Sequence, residues 1–251
     1  YNIVKYENGV AYFEVSGLEA GNKTVVAIYE GNNKYVQNTT TNNFTVNKRS
    51  SQVNLSADAS VVGGDVIIKV NITSGATGYV IVNVNGTDYA INTTGSTGSV
   101  VIKGLGNGTY RVNATYIGDD NYLPSTNNTQ TFVVSKVTAP IAINVTNIVY
   151  GQNVNITVNV TEDAIGFITI RILNGTQIIR NITLPVVNGK VNWIVEDLAV
   201  GNYTVYASYS GDDKYDVNST DKGFNITKAT PILSIDDIVS VDAATNATIV
   251  V

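Results

Sequence analysis

Three stretches of the chain fit one frame, Leu-x-x-Gly-x-(Tyr)-x-Val-x-Ala-x-Tyr-x-Gly. They are "LEAGNKTVVAIYEG" from Leu18, "LGNGTYRVNATYIG" from Leu105 and "LAVGNYTVYASYSG" from Leu198, spaced by 87 and 93 residues. Self-similarity at such a period constrains the fold more than any single motif, because each copy must be one structural unit. The flanks repeat too. "NGVAYFEVSGL" from Asn8 matches "NGKVNWIVEDL" from Asn188, and "FTVNK", "FVVSK" and "FNITK" close the copies at Lys48, Lys136 and Lys228. "PILSIDDIVSVDAATNATIVV" from Pro231 aligns without gaps to "PIAINVTNIVYGQNVNITVNV" from Pro140. Residues 1–49 therefore read as the C-terminal half of a repeat, 50–137 and 138–229 as complete repeats, and 230–251 as the N-terminal part of a further one. The chain opens and closes in mid-pattern, as a window on something longer would.

Within a repeat the apolar period is two. In "NVNITVNVT", residues 153–161, Asn and Thr alternate with Val and Ile, the mark of a half-buried strand. Turns of Gly, Asn and Asp break the pattern. Strands are expected near 140–147, 152–161, 166–173, 177–184, 189–195, 202–210 and 223–228. Seven short strands in about 90 residues fit an antiparallel sandwich of immunoglobulin type. The fold class is all-β, as tandem immunoglobulin-like sandwiches. Tyr110 and Tyr203 stand just after a turn at the start of the sixth strand, where a Tyr hydroxyl can bond back to nearby backbone. Lys23 holds that place in the first copy. Trp193 and its counterpart Phe13 are expected in the core.

Composition excludes several functions. The chain has no Cys, His or Met, so thiol, disulfide and imidazole chemistry are absent and zinc is disfavoured. A net charge of −5 offers no basic surface to a phosphate backbone, so nucleic acid is not a partner. No apolar run approaches the roughly 20 residues of a membrane helix. Asparagine is in excess: 32 Asn in 251 residues, with 44 Ser and Thr, would give roughly six Asn-x-Ser/Thr sequons by chance, and there are 19. They are Asn22, Asn38, Asn43, Asn54, Asn71, Asn85, Asn92, Asn107, Asn113, Asn127, Asn144, Asn155, Asn159, Asn174, Asn181, Asn202, Asn218, Asn225 and Asn246. Each is a candidate N-glycosylation site of an exported protein. Strand alternation alone also puts Asn and Thr two apart, and the two readings are compatible.

The candidate chemistry lies in "TYIGDDNY", 115–122, and "SYSGDDKY", 208–215. Asp119–Asp120 and Asp212–Asp213 could be a turn, a Ca²⁺ site or an acid/base pair. Gly118 and Gly211 accept positive φ, and Asp bonds its own backbone, so a turn ranks first. The first copy has Asn32 and Asn33 in place of both aspartates. Asn can make the same turn, but it weakens a hard-cation site and cannot replace a catalytic carboxylate. Ca²⁺ ranks second, and no other cofactor is expected; Glu162–Asp163 could help bind Ca²⁺ at a domain junction but read better as solvated surface acids. Catalysis ranks last. "GLGNG", 104–108, precedes a strand where a phosphate loop would need a helix. The persistent residues are structural: Tyr110, Tyr203, Tyr116, Tyr209, Tyr122, Tyr215, Gly118 and Gly211.

"GNGTYRVNATYIGDDNY" and "GNYTVYASYSGDDKY" resemble the end of bacterial Ig-like repeats of the group 3 type. The Asn-, Thr- and Tyr-rich character is similar to adhesin-like proteins of methanogenic archaea. The resemblance implies an extracellular, cell-surface stalk without enzymatic activity, whose partners are neighbouring repeats of the same chain or fibre. Short Pro-ended joints, "SKVTAP" and "TKATP", imply a rod more than loose beads. Two other functions stay open. One is a filament or sheath subunit whose half-repeats complement each other. The other is a module that itself binds surface glycans or proteins through Tyr122 and Tyr215.

Overall fold

The computed structural model of the protein describes residues 3–236, 240–243, 246 and 249. Part of the expected fourth repeat, at 237–239, 244, 245, 247, 248, 250 and 251, lies outside them. Among the described residues every regular element is a strand. The chain forms two compact units, Tyr1–Ser135 and Lys136–Val251.

The first unit begins with a hairpin, β1 (Gly21–Tyr29) and β2 (Asn38–Val46), paired only to each other. A sandwich follows: β3 (Val53–Ala57), β4 (Ser60–Val61), β5 (Val66–Ile72), β6 (Gly78–Val84), β7 (Thr87–Thr93), β8 (Thr97–Ile102), β9 (Gly108–Tyr116) and β10 (Ser125–Ser135). One sheet has the order β3-β5-β8 and the other β4-β10-β9-β6-β7.

The second unit repeats this plan. Its strands are β11 (Val137–Thr138), β12 (Ala142–Asn144), β13 (Ile148–Val149), β14 (Val154–Asn159), β15 (Phe167–Asn174), β16 (Gln177–Pro185), β17 (Lys190–Val195), β18 (Gly201–Tyr209), β19 (Tyr215–Asp216) and β20 (Asn218–Thr227). The sheets are β12-β14-β17 and β13-β20-β18-β15-β16, with β11 and β19 as an added pair. In each unit the first strand divides between the two sheets. Its second part, β4 or β13, runs parallel to the last strand, while the larger sheet is otherwise antiparallel.

The period-two pattern builds the cores. Val154, Ile156 and Val158 face inward from β14, and Ile168, Ile170 and Ile172 from β15. Tyr203, Val205, Ala207 and Tyr209 face them from β18. In the first unit Val66, Ile68, Val70 and Ile72 meet Val80, Val82 and Val84. Each fully buried branched side chain contributes roughly 1.5–3 kcal/mol relative to exposure. The intervening residues, such as Asn155 and Lys69, point outward.

Three expectations need correction. The first strand expected over 140–147 keeps only Ala142–Asn144 in its sheet and reappears as Ile148–Val149 in the other. The last strand starts at Asn218, not at 223. Phe13 is 51% exposed, because the strands that would cover it are absent around residues 3–49. Trp193 is half-buried and packs on the core opposite Ile156.

The alternation can be tested on neighbouring strands. Ile156 is fully buried, and Ile194, one ladder position away on β17 and so on the other face, is 60% exposed. By urea unfolding, Ile156→Ala should cost about 2–5 kcal/mol. Ile194→Ala should stay within about 0.5 kcal/mol.

Candidate functional site: the Gly-Asp-Asp loops

Each loop leaves the strand through a glycine. Gly118 has φ 83° and Gly211 has φ 70°, a region that L side chains rarely adopt. The chain also closes tightly there. A Cβ on Gly211 would meet the carbonyl of Tyr215 at 2.8 Å and the amide of Val217 at 3.0 Å. Gly118 and Gly31 would meet the corresponding backbone at 2.9 Å.

The first aspartate then organises the turn. The amides of Asn121 and Tyr122 donate to Asp119 Oδ1, both at 2.8 Å. Those of Lys214 and Tyr215 donate to Asp212 Oδ1 at 2.8 and 2.7 Å. The other oxygen reaches across the end of the sandwich. Thr77 donates its amide (2.8 Å) and its hydroxyl (3.3 Å) to Asp119 Oδ2. Ile165 N–H donates to Asp212 Oδ2 (2.9 Å), and the Tyr209 hydroxyl shares its one proton between that oxygen (2.8 Å) and Ile165 O. In the first copy Asn32 Oδ1 accepts from the amides of Lys34 and Tyr35 at 2.8 and 2.9 Å. Asp and Asn thus close the same turn, and only Asp adds the second tie.

Burial works to raise the Asp119 pKa, but donation from Thr77, Asn121, Tyr116 and Tyr122 outweighs it and holds the group at about 2. Asp212 is likewise lowered, against its burial, by Ile165, Tyr215, Tyr209 and Lys214. Tyr116 moves the other way, to about 12, through burial and then the neighbouring Asp119. Burial and Asp212 raise Tyr209 too.

The second aspartates, Asp120 and Asp213, are exposed and do not join the first in any shared contact. Among the described residues no group of three or more Asp, Glu, His or Cys side chains stands where it could hold a metal. Glu162 is exposed. Asp163 accepts from Lys214 Nζ (2.6 Å) and the Tyr215 hydroxyl (2.7 Å), which lower its pKa. The same contact raises Lys214, which also lies over the Tyr215 ring. Both partners of this ion pair are largely solvated, so it contributes little.

The tyrosines are anchors. Tyr110 donates to Gly106 O and Tyr203 to Ala199 O, each at 3.0 Å and four residues back. Each ring stacks on the opposite Phe of the last strand, Phe132 at 5.3 Å and Phe224 at 5.5 Å. Tyr116 and Tyr209 are fully buried and donate to Thr77 O (2.8 Å) and Ile165 O (2.6 Å). Tyr122 and Tyr215, the candidates for an adhesive surface, are only 8% and 5% exposed. Tyr122 donates to Ser74 O at 3.1 Å. Their rings cannot serve as a contact platform, which corrects that expectation.

Residues 141–227 match the bacterial Ig-like domain (group 3). The matched span runs from the first core strand of the second unit to its last. No curated protein matches the chain. Solved structures with similar strand layout include the fibronectin(III)-like modules of Clostridium thermocellum CbhA, at 14% identity, 70% of this chain, 95% of that chain and a TM-score of 0.30. A titin fragment has 14% identity, 70% and 98% coverage and a TM-score of 0.33. The adhesin InvE of Yersinia pseudotuberculosis has 15% identity, 75% and 66% coverage and a TM-score of 0.31. At these scores the likenesses have no bearing on function.

Within and around the group 3 span the sequons sort by exposure. Asn113, Asn127, Asn159, Asn218 and Asn225 are half-buried, and the other fourteen are exposed. Asn127 and Asn218 use their amide nitrogens internally, on Val53 O and Ala139 O. The partners that sequence reasoning missed, Thr77 and Ile165, both act through a backbone N–H, which carries no residue signature, and only Thr77 adds a side-chain hydroxyl. Asp163 was visible as a surface acid and a lesser Ca²⁺ candidate, not as the partner of Lys214 and Tyr215.

Two predictions follow from the loop. Gly211→Ala should destabilise the second unit by roughly 1–3 kcal/mol, read by urea unfolding. The folded pKa of Asp119 lies below its unfolded value of 3.8, so its contribution is full above about pH 4 and disappears as pH falls towards about 2. Acid titration of stability should show that loss in the wild type and not in Asp119→Asn.

Proposed function

We propose that the chain is a repetitive segment of a large extracellular, adhesin-like surface protein, and that its modules extend and present whatever the parent carries at its tip. The observation behind this is where the shared residues of the frame stand. Leu198 and Tyr209 are in the core, Gly211 makes the turn, Tyr203 braces the sixth strand and Asp212 closes the loop. What recurs between copies builds the module, with the exposed Asp120 and Asp213 as exceptions. A shared ligand site would instead keep a cluster of exposed residues constant. The group 3 match over 141–227 supports the same reading.

As a spacer, the segment needs solubility at low charge, and exposed Asn and Thr ladders provide it. Glycans on the fourteen exposed sequons would add bulk and protease resistance. Mass spectrometry of the native protein should find modified Asn in this set, and bare Asn at every site would remove the glycan part. For the spacer itself, scattering on residues 50–229 and on longer arrays should show the maximum dimension growing in proportion to the number of repeats. A folded-back pair would overturn it.

A further inference from the structure

The residue that ends each copy of the frame is lysine, at 48, 136 and 228. Nothing in the sandwich pattern requires it. In both places where a Gly-Asp-Asp loop follows within the same unit, this lysine is seated on the loop. Lys48 Nζ donates to the carbonyl of Asp119 at 2.6 Å, and Lys136 Nζ donates to the carbonyl of Asp212.

The residues after the lysine are held as a short strand. Val137 and Thr138 pair in parallel with Tyr215 and Asp216. Val137 N–H donates to Lys214 O at 2.9 Å. Asn218 Nδ2 donates to Ala139 O at 2.7 Å. In the first unit Arg49 pairs in parallel with Tyr122. Its N–H donates to Asn121 O at 2.8 Å, and its carbonyl accepts from Leu123 at 2.9 Å. Ser51 Oγ donates to Leu123 O at 2.6 Å. Around these contacts the side chains change: Arg49 stands for Val137, Ser51 for Ala139 and Ser125 for Asn218. The lysine, the aspartate and the backbone ladder do not change.

We propose that the Gly-Asp-Asp loop is a receptor for a lysine-led extended segment, the one by which the chain enters each module. The carboxylate does not touch the lysine. It holds the amides two and three residues on, which fixes the loop so that its carbonyls are available to the entering strand. The ammonium then makes a charge-assisted bond to one of them, and two-residue parallel pairing does the rest, a small case of strand addition. This assigns a role to the recurrent lysine and explains why Gly, Asp and Lys recur together. It rests on the reading of the chain as an array of like modules, yet it concerns a local contact that can fail while that reading stands.

The test is amide hydrogen exchange by NMR on the whole 251-residue chain. Lys136→Gln removes the ammonium, and Lys136→Arg keeps a cation. In Lys136→Gln the Val137 amide should exchange about tenfold faster or more, while Val205 and Ile170 in the core hold their rates, because the opening is local. Lys136→Arg should keep most of the protection. Unchanged protection at Val137 in Lys136→Gln would overturn the proposal, and so would equal acceleration of the core amides. If Lys136→Gln does not fold, Lys48→Gln with the Arg49 amide as reporter gives the same two outcomes in the first unit.

Discussion

Each sandwich closes on one carboxylate that accepts four hydrogen bonds. Asp212 takes the amides of Lys214, Tyr215 and Ile165 and the Tyr209 hydroxyl. Asp119 takes the amides of Asn121, Tyr122 and Thr77 and the Thr77 hydroxyl. A hydrogen bond to a charged group contributes roughly 1.5–3 kcal/mol net, and even with its four bonds sharing one partly solvated carboxylate this hub outweighs the surface ion pairs among the described residues. It joins the loop after the sixth strand to the loop before the third. The glycine before it and the buried tyrosine after it make sense only in relation to that closure.

Much of the sandwich was legible because its cause is local. Alternation of Val and Ile with Asn and Thr reports a half-buried strand directly, and β14 to β18 lie within a residue or two of where that pattern puts them. The misses have physical reasons. "NSTDK" at the start of β20 has no apolar alternation, and it is a strand only because β18 offers it a full ladder. The division of the first strand between two sheets depends on parallel pairing with β20, a contact nearly 80 residues away. Phe13 is apolar in sequence and exposed in space, since burial needs partners that its own segment does not supply.

The loops were legible through comparison of copies more than through any single motif. Asn32 in place of Asp119 and Asp212 separates the turn from the chemistry, and the structure shows the same two amides on all three side chains. The ties through Thr77 and Ile165 were not legible, because a backbone N–H looks the same at every residue. The tyrosines changed meaning most. Aromatic loops invite a binding reading, but Tyr122 and Tyr215 are inside, their hydroxyls bonded to Ser74 O and Asp163. What recurs on the outside is an Asn- and Thr-rich surface.

The closure of each loop depends on an inequality between its two aspartates. It is measured most directly by urea unfolding of Asp212→Ala and Asp213→Ala, each with and without Ca²⁺. Asp212→Ala should lose roughly 1.5–3 kcal/mol. Asp213→Ala should stay within about 0.5 kcal/mol, and Ca²⁺ should change neither. Equal losses from the two substitutions, or stabilisation of the wild type by Ca²⁺ that both variants abolish, would contradict it.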